Sequence, residues 1–526
     1  MSATANLGIN PAESCIIDAG TVLCGIDASG KMQLRHDVAI WVHAGRISQI
    51  GPLPAVGSNS GGLKRYGGPA MVAMPGLVNS HHHFGLTPLM MGVPFAPLEL
   101  WLPQFRMMRS VGARLDTLYS AIEMLESGTT SVHHIHSGLS PNPGDWHQAA
   151  DDVLDAYRDI GMRVGFSFMM RDRNVLTYTD DAEVLATLPP PLRDWLQPRL
   201  ASAGTPTADY MAFFKESKAK WSARAGNLVR HHLAPANLHW LSDDSLQLIV
   251  ETARAEGANL HMHLVETERQ AQFAQARYGR SAVAHLHALG CLGPELTIGH
   301  GNWLSHADLD LIAECGCSIC HNPSSGLRLG SGIAPVNQMR QRGIPVALGI
   351  DQSNLLDDRD MLVEIKLAWA LHRETGLFND RPDAGQILQM ATEHGARSVG
   401  FGGKVGRLEP GQAADIVLLS RDAIARPWLD PMTAIADAVV LRATRSAIDQ
   451  VFVAGKLVVD QGRAIGIDRD AVMAEIKARL DHPPTPAETE ARAMVTAIQP
   501  FLEAFHRAHM PAGPGQPYRY NAINDR

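Results

Sequence analysis

Three consecutive histidines, His81-His82-His83, end an apolar run in MPGLVNSHHHFG, Met74 to Gly85. Alternate side chains of a strand share a face, so His81 and His83 point one way and His82 the other. Two imidazoles converging at a strand end suit a divalent cation. The plain alternative is a surface cluster or an expression tag, but a tag stands at a terminus with no strand leading into it. A second element, HMHLVET, places His263 at the end of another apolar run, with Glu266 three residues on. Hydrolysis of an unreactive carbon needs such a pair: a metal acidifies water and an unligated carboxylate takes its proton. In isolation His261 and His263 would read as interior residues. His300 closes LTIGH and Asp351 closes IPVALGID. Each alone reads equally well as a cap or turn residue. Together the set offers three neutral imidazoles and one carboxylate to a single metal, with a position left for water. Glu266 and His300 remain for proton traffic.

The elements that must position these groups follow from the rest of the chain. Its 526 residues suit one large barrel plus a smaller domain. Residues 14 to 75 alternate in strand fashion, and Gly406 to Ser420 and Gln450 to Ile465 have the same strand-turn-strand character. This predicts a small β-sandwich from both ends of the chain, residues 1–75 and 405–466, split around an insert, 76–404. Within the insert, apolar strands at Gly128–His136, Met162–Met170, Leu228–Pro235, Ala258–Glu266, Leu296–His300, Cys317–Pro323 and Ile344–Asp351 join the one before His81. Helical segments lie between most of them. Eight such alternations indicate an α/β chain with a (β/α)8 TIM barrel, whose active site lies at the strand C-termini. Residues 171–227 form a long excursion after the third strand, the usual place of a lid. Residues 467–509 read as helical and 510–526 as an extended arm.

Composition narrows the function classes. A formal net charge of −8 argues against nucleic-acid and anionic-membrane partners. No apolar run reaches the ~18 residues of a spanning helix. MSATANLGINPAES lacks the basic region and apolar core of a signal peptide. Of six cysteines, Cys315, Cys317 and Cys320 cluster in ECGCSICHNP with no second pair, which favours buried free thiols over a structural zinc site. That fits a reducing cytoplasm.

Taken in order, these motifs resemble the amidohydrolase superfamily, in its branch of cytosine, guanine and S-adenosylhomocysteine deaminases and triazine hydrolases. The likeness runs from the early strands through PGLVNSHHH, HLVE at His263–Glu266, IGHGNWLSHADLD, HNPSSGLRLGSG and LGID to Gly406-Arg-Leu-Glu-Pro-Gly-Gln-Ala-Ala-Asp415. The resemblance implies one divalent metal, zinc with ferrous iron as the alternative, held by His81, His83, His263 and Asp351. It implies Glu266 as general acid and base, His300 as the group polarising the reacting centre, Asp351 as an aid to the proton relay, a small-molecule substrate and a homodimer or higher homo-oligomer. Binuclear relatives carry a carboxylated lysine on the fourth barrel strand, and LVRHHLAP contains no lysine.

Three activities stay open at this stage: hydrolytic removal of an amino group from an N-heterocycle, hydrolysis of an amide, urea or carbamate, and an inactive barrel scaffold. The intact ligand set argues against the last. Adenosine-type deaminases of this branch carry a carboxylate after a PLxxWL stretch, where Pro103 and Gln104 stand here. They also carry a PHSPY-like segment, where this chain has Pro235-Ala-Asn-Leu-His239-Trp240. Both changes remove polar groups that read a nucleoside. Met90, Met91, Phe95, Trp101, Trp240 and Trp303 predict a flat, fairly apolar substrate. Gln104, His134, His136 and His239 complete the expected pocket.

Overall fold

The computed structural model describes residues 14–52, 63–137, 140, 142–201 and 203–509. The expected arm at 510–526 lies outside the described residues. Four strands come first: β1 (Cys15–Ile26), β2 (Met32–His43), β3 (Arg46–Pro52) and β4 (Lys64–Pro75). The barrel follows with β5 (Leu77–His82), β6 (Thr129–His136), β7 (Arg163–Met170), β8 (Val229–His231), β9 (Ala234–Pro235), β10 (Leu260–Leu264), β11 (Leu296–His300), β12 (Ser318–His321) and β13 (Val346–Leu348). The chain then adds β14 (Ile416–Ser420), β15 (Ile448–Val453), β16 (Lys456–Asp460) and β17 (Arg463–Ala464).

Strands from both ends form one hydrogen-bonded sheet in the order β17-β16-β15-β14-β4-β1-β2-β3. One face gathers Ile17, Val22, Ile40, Val42, Ile416, Leu418 and Phe452 into a separate core. The other face, through Leu23, Val72, Met74, Val417 and Leu419, joins the core of the barrel. The apolar run before the triple histidine is therefore two strands, not one. β4 belongs to this sheet and β5 to the barrel, with Gly76 between them. A Cβ at Gly76 would stand 2.1 Å from Thr130 Oγ1, so only glycine lets the chain cross that closely over β6.

The barrel strands run parallel, in the sets β5-β6-β7-β8 and β10-β11-β12-β13, with β9 paired to β7. Two bridges close the ring, His82 to Asp351 and Leu233 to Leu260. The closing bridge at His82–Asp351 brings the first and last strands together at their C-terminal ends. A buried ion pair ties barrel to sheet: Arg163, at the start of β7, donates to both oxygens of Asp415 at 2.6 and 3.0 Å. Asp415 closes the GRLEPGQAAD turn.

Over the strand ends lies a helical roof. The excursion after β7 folds into helices Asp181–Thr187, Pro190–Ala201 and Thr207–Ala225. Val184, Leu188, Trp195, Leu196 and Leu200 of its first part pack on Val495, Ile498, Leu502 and Phe505 of the C-terminal helix Pro486–His509. That amphipathic helix packs on the turn Leu102–Met107 as well, so it braces the roof.

Candidate metal centre and active site

Four donor atoms meet at the mouth of the barrel. His81 Nε2 and His83 Nε2 are 3.1 Å apart, and His83 Nε2 and His263 Nε2 are 3.2 Å apart. Asp351 Oδ1 lies 3.5 Å from His81 Nε2 and 3.4 Å from His83 Nε2. Ligands bonded at about 2.0–2.1 Å around a tetrahedral ion sit about 3.4 Å from one another. The residues therefore fit a zinc-class ion. Asp351 Oδ1 adds a second sign, being buried with no hydrogen-bond partner among the described residues. Burial holds the His83 imidazole at about 3 and that of His263 at about 4, so both carry the neutral ring that ligates metal.

Each candidate donor is aimed by a partner. His83 Nδ1–H donates to the Ile135 carbonyl at 3.0 Å and faces Ser137 Oγ at 2.8 Å. His263 Nδ1–H donates to the Ala236 carbonyl at 3.0 Å. These bonds fix the tautomer that leaves Nε2 bare. His81 differs, because its Nδ1 meets a side chain, His261 Nε2, at 2.8 Å. Asp351 Oδ2 accepts from Ser325 Oγ at 2.6 Å, which turns Oδ1 to the histidines. The backbone is bent to suit. Val265, His300 and Asp351 adopt φ of +44°, +69° and +63°, a left-handed conformation that costs non-glycine residues about 1–3 kcal/mol each. It turns the chain at three strand ends so that Glu266, His300 and Asp351 face one point. Gly299 makes room behind them: a Cβ there would stand 3.0 Å from His261 Nε2 and 3.2 Å from His81 Cε1.

Glu266 and His300 stand beside this cluster, with His300 Nε2 3.7 Å from Glu266 Oε2 and 4.0 Å from Asp351 Oδ2. Burial, then the charges of Asp351 and Glu99, push the Glu266 carboxyl well above its usual range. Burial and the surrounding imidazoles hold His300 neutral. Asn322 Nδ2 donates to His300 Nδ1 at 3.3 Å, while its Oδ1 accepts from Cys320 Sγ at 3.4 Å. The proton of His300 is thus on Nε2, the atom facing Glu266.

Above the cluster opens a cavity of about 480 Å³. His83, His263, Glu266 and His300 form its floor, and Phe84, Leu98, Leu102, Phe105, Met108, Met169 and Val175 its apolar wall. Of the expected pocket residues, Trp240 lines it. Trp101 is buried beneath, edge-on to Phe105 at 4.7 Å. Gln104 turns back to the Leu100 carbonyl at 3.0 Å. His239 packs on Tyr178 at 4.2 Å in a neighbouring crevice, and Trp303 donates to Ser331 O at 2.6 Å. Strand alternation carries His134 to the outer face of β6, where Nδ1 meets Tyr157 Oη at 3.0 Å. His136 stacks on it at 5.7 Å, and both border a second hollow of about 300 Å³ together with Met91. Met90 is exposed, and Phe95 lies under Arg328. Arg106, Arg171, Arg199, Asn237, Gln270 and Gln352 line the main cavity without having been anticipated.

Residues 72–458, more than half of the chain, match the Amidohydrolase family. The chain is 28% identical over 444 residues to the 5-methylthioadenosine/S-adenosylhomocysteine deaminase of Syntrophobacter fumaroxidans, covering 84% of this chain and 92% of that protein. It is 30% identical over 410 residues to the 5'-deoxyadenosine deaminase of Methanopyrus kandleri, covering 76% and 84%. Among solved structures it resembles a zinc-bound adenosine deaminase from Xanthomonas campestris, with TM-score 0.72 and 25% identity over 92% of this chain and 98% of that one. A triazine hydrolase from Arthrobacter aurescens shares the fold at TM-score 0.75 and 20% identity, over 89% and 100%.

Proposed function

The chain belongs to the amidohydrolase family and is a hydrolase of carbon–nitrogen bonds, and from that premise we propose that it removes an amino or substituted-amino group from a flat N-heterocycle. The observation that carries this reading is the buried Glu266–His300 pair beside four converging donor atoms. His81, His83, His263 and Asp351 would hold one zinc ion. When bound, the metal supplies Lewis acidity that brings the pKa of a water to about 7.

The chain's own residues do the rest. Glu266 takes a proton from the attacking water as its oxygen bonds to the sp² ring carbon. His300 Nε2–H donates to the group on which negative charge gathers. Glu266 then delivers its proton to the departing nitrogen as the C–N bond breaks. A carboxyl held above its usual range suits both transfers near neutral pH. Ser325 keeps Asp351 Oδ2 occupied, so that Oδ1 alone is offered to the cluster.

The deaminases named above act on adenosine or its analogues, and the triazine hydrolase is named for another N-heterocycle. Pro103, Gln104 and the Pro235–Trp240 segment support a substrate that is not a plain nucleoside. A panel of heterocyclic amines, amides, ureas and carbamates tests the reading. Ammonia release from ring amines is the expected result, and alkylamine or arylamine release from amides alone would replace it. Elemental analysis should give one zinc-class metal per chain. The reading extends to a homo-oligomer, which light scattering tests. It also extends to a reducing compartment, which the free thiols Cys291, Cys315, Cys317 and Cys320 support and cell fractionation tests.

A further inference from the structure

Glu364 is a carboxyl that the catalytic reading does not use. It stands in the first turn of the helix Met361–Leu371, outside the barrel strands, and none of its surface is exposed. Burial pushes it up to about 8. It forms no ion pair with any described residue. A carboxyl buried in this way is costly, so the bonds it makes show what it is kept for. Both of its oxygens are taken by one residue. Ser324 Oγ donates to Oε1 at 2.5 Å, and the Ser324 N–H donates to Oε2 at 3.1 Å.

Ser324 lies between two residues that aim the active site. Asn322, two positions before it, donates to His300 Nδ1, and Ser325, the next residue, donates to Asp351 Oδ2. All three side chains are buried. β12 ends at His321, so its ladder does not hold the turn that follows, and the short helix Pro323–Arg328 starts there. A shift of this turn would move the partners of His300 and Asp351 together. The same serine reaches the chain beyond Asp351, because Ser324 Oγ accepts from the Leu355 N–H at 3.1 Å. Arg328, at the other end of the short helix, donates to Ser353 Oγ, to the Asn354 carbonyl and to Asp357 Oδ1 at 3.1 Å. The loop from Asp351 to the Glu364 helix is thus folded back onto the turn, and Glu364 anchors it from below.

We propose that Glu364 is a positioning residue of the active site: through Ser324 it sets the turn from which Asn322 aims His300 and Ser325 aims Asp351. The inference rests on the C–N hydrolase reading and adds to it a residue that touches neither the cavity nor the four donor atoms. The bonding explains why a carboxyl stands there. The N–H and O–H of one serine need two acceptors side by side, and a carboxyl offers them at a fixed spacing. Glutamine can take its place, since its Oε1 accepts from the N–H while its Nε2 donates to Oγ. Both bonds then survive, one of them reversed. Methionine fills a similar volume and makes neither, which leaves the Ser324 N–H buried without a partner.

Two measurements on the full chain test this: competition of a chelator for zinc, and steady-state kinetics on a ring amine at full metal loading. Glu364→Met should weaken zinc by about 10- to 100-fold, the usual effect of disturbing a ligand's hydrogen-bond partner. It should lower kcat by about 10-fold as His300 loses its aim. KM should stay unchanged, since neither Glu364 nor Ser324 lines the cavity. Glu364→Gln should recover most of both losses. Ser324→Ala should act in the same direction as Glu364→Met, and the double variant should lose less than the product of the two single losses. Ser324→Ala carries the test if Glu364→Met does not fold. A lower melting temperature with zinc affinity and kcat unchanged would overturn the proposal, because Glu364 would then only pack. Glutamine as damaging as methionine would overturn it too, because the charge and not the bonds would matter. Losses that multiply would show that Glu364 and Ser324 act by separate routes. If no ring amine is turned over while zinc affinity follows Glu364 and Ser324 as stated, the hydrolase reading fails and the positioning of Asp351 stands.

Discussion

At the floor of the cavity every candidate metal donor has a partner inside the barrel, whereas at its wall the Arg106 and Arg171 guanidiniums have no hydrogen-bond partner among the described residues. His83 and His263 are locked by carbonyls of neighbouring strands, and Asp351 by Ser325 and by its own N–H to the His81 carbonyl at 2.8 Å. The wall comes from the turn at Leu102–Met107 and from the excursion, braced by a helix from the far end of the chain. The difference separates two tasks. A metal centre needs donors held within a few tenths of an ångström, which rigid strand ends provide. A recognition wall needs side chains that a ligand completes, and loops and helices can change there without disturbing the floor.

The largest effects should come from breaking the floor. His83→Asn shortens a ligand and should remove metal and turnover together, read by elemental analysis and assay. Retained metal at one per chain would show that the donors lie elsewhere. Glu266→Gln keeps shape and hydrogen bonding but not the proton. Turnover should fall by about 10²- to 10⁴-fold with metal content unchanged. Activity near that of the native chain would mean that another group moves the proton.

A roof variant sharpens the contrast. Leu502 is fully buried between the C-terminal helix and the excursion. Leu502→Ala should cost about 2–5 kcal/mol locally, seen as a lower melting temperature and a raised KM, with metal content still one per chain. Metal loss in this variant would show that floor and roof are not separable.

The floor was legible because its residues obey strand rules. His81 and His83 share a face by alternation, and His263, His300 and Asp351 each end an apolar run. What alternation cannot say is which residue a ring nitrogen meets. The Asn322 bond that sets the tautomer of His300, the Ser325 bond to Asp351 and the His261 bond to His81 all join segments far apart in sequence. The wall was least legible. Trp101 and Trp303 looked like pocket residues because aromatic size says nothing about which side of a helix or turn is buried. No sequence pattern singles out Arg106 and Arg171, and only the packed fold turns them inward. Splitting the apolar run before His81 at Gly76 needed the position of Thr130, which no local pattern contains.

A finer break concerns His81, the candidate donor whose Nδ1 meets another imidazole, His261. His261→Phe keeps a ring of similar volume but leaves the His81 Nδ1–H without an acceptor. Loss of such an orienting partner typically weakens metal by about 10- to 100-fold, measurable by competition with a chelator. His83 and His263 should keep the residual site, so metal is weakened rather than lost. An unchanged affinity would show that strand geometry alone holds His81.

The smallest effect on the centre should come from His82, although it lies between two ligands. Its side chain points out of the barrel, where Nε2 meets Ser120 Oγ at 3.2 Å. Ser120 itself donates to the Thr117 carbonyl at 3.0 Å, so its oxygen accepts from His82. Burial, then the charge of Arg359, keeps this imidazole neutral, and Nδ1 has no partner among the described residues. The part of His82 that matters to the site is its backbone, which bridges β5 to Asp351 and closes the barrel. His82→Asn retains that backbone and loses one buried hydrogen bond, for about 1–3 kcal/mol of stability. Metal should stay at one per chain and turnover should change little, while the melting temperature falls. If His82→Asn instead loses metal as fully as His83→Asn, the outward face of β5 carries part of the centre, and the division between a locked floor and an adaptable roof would have to be redrawn around the outer helices.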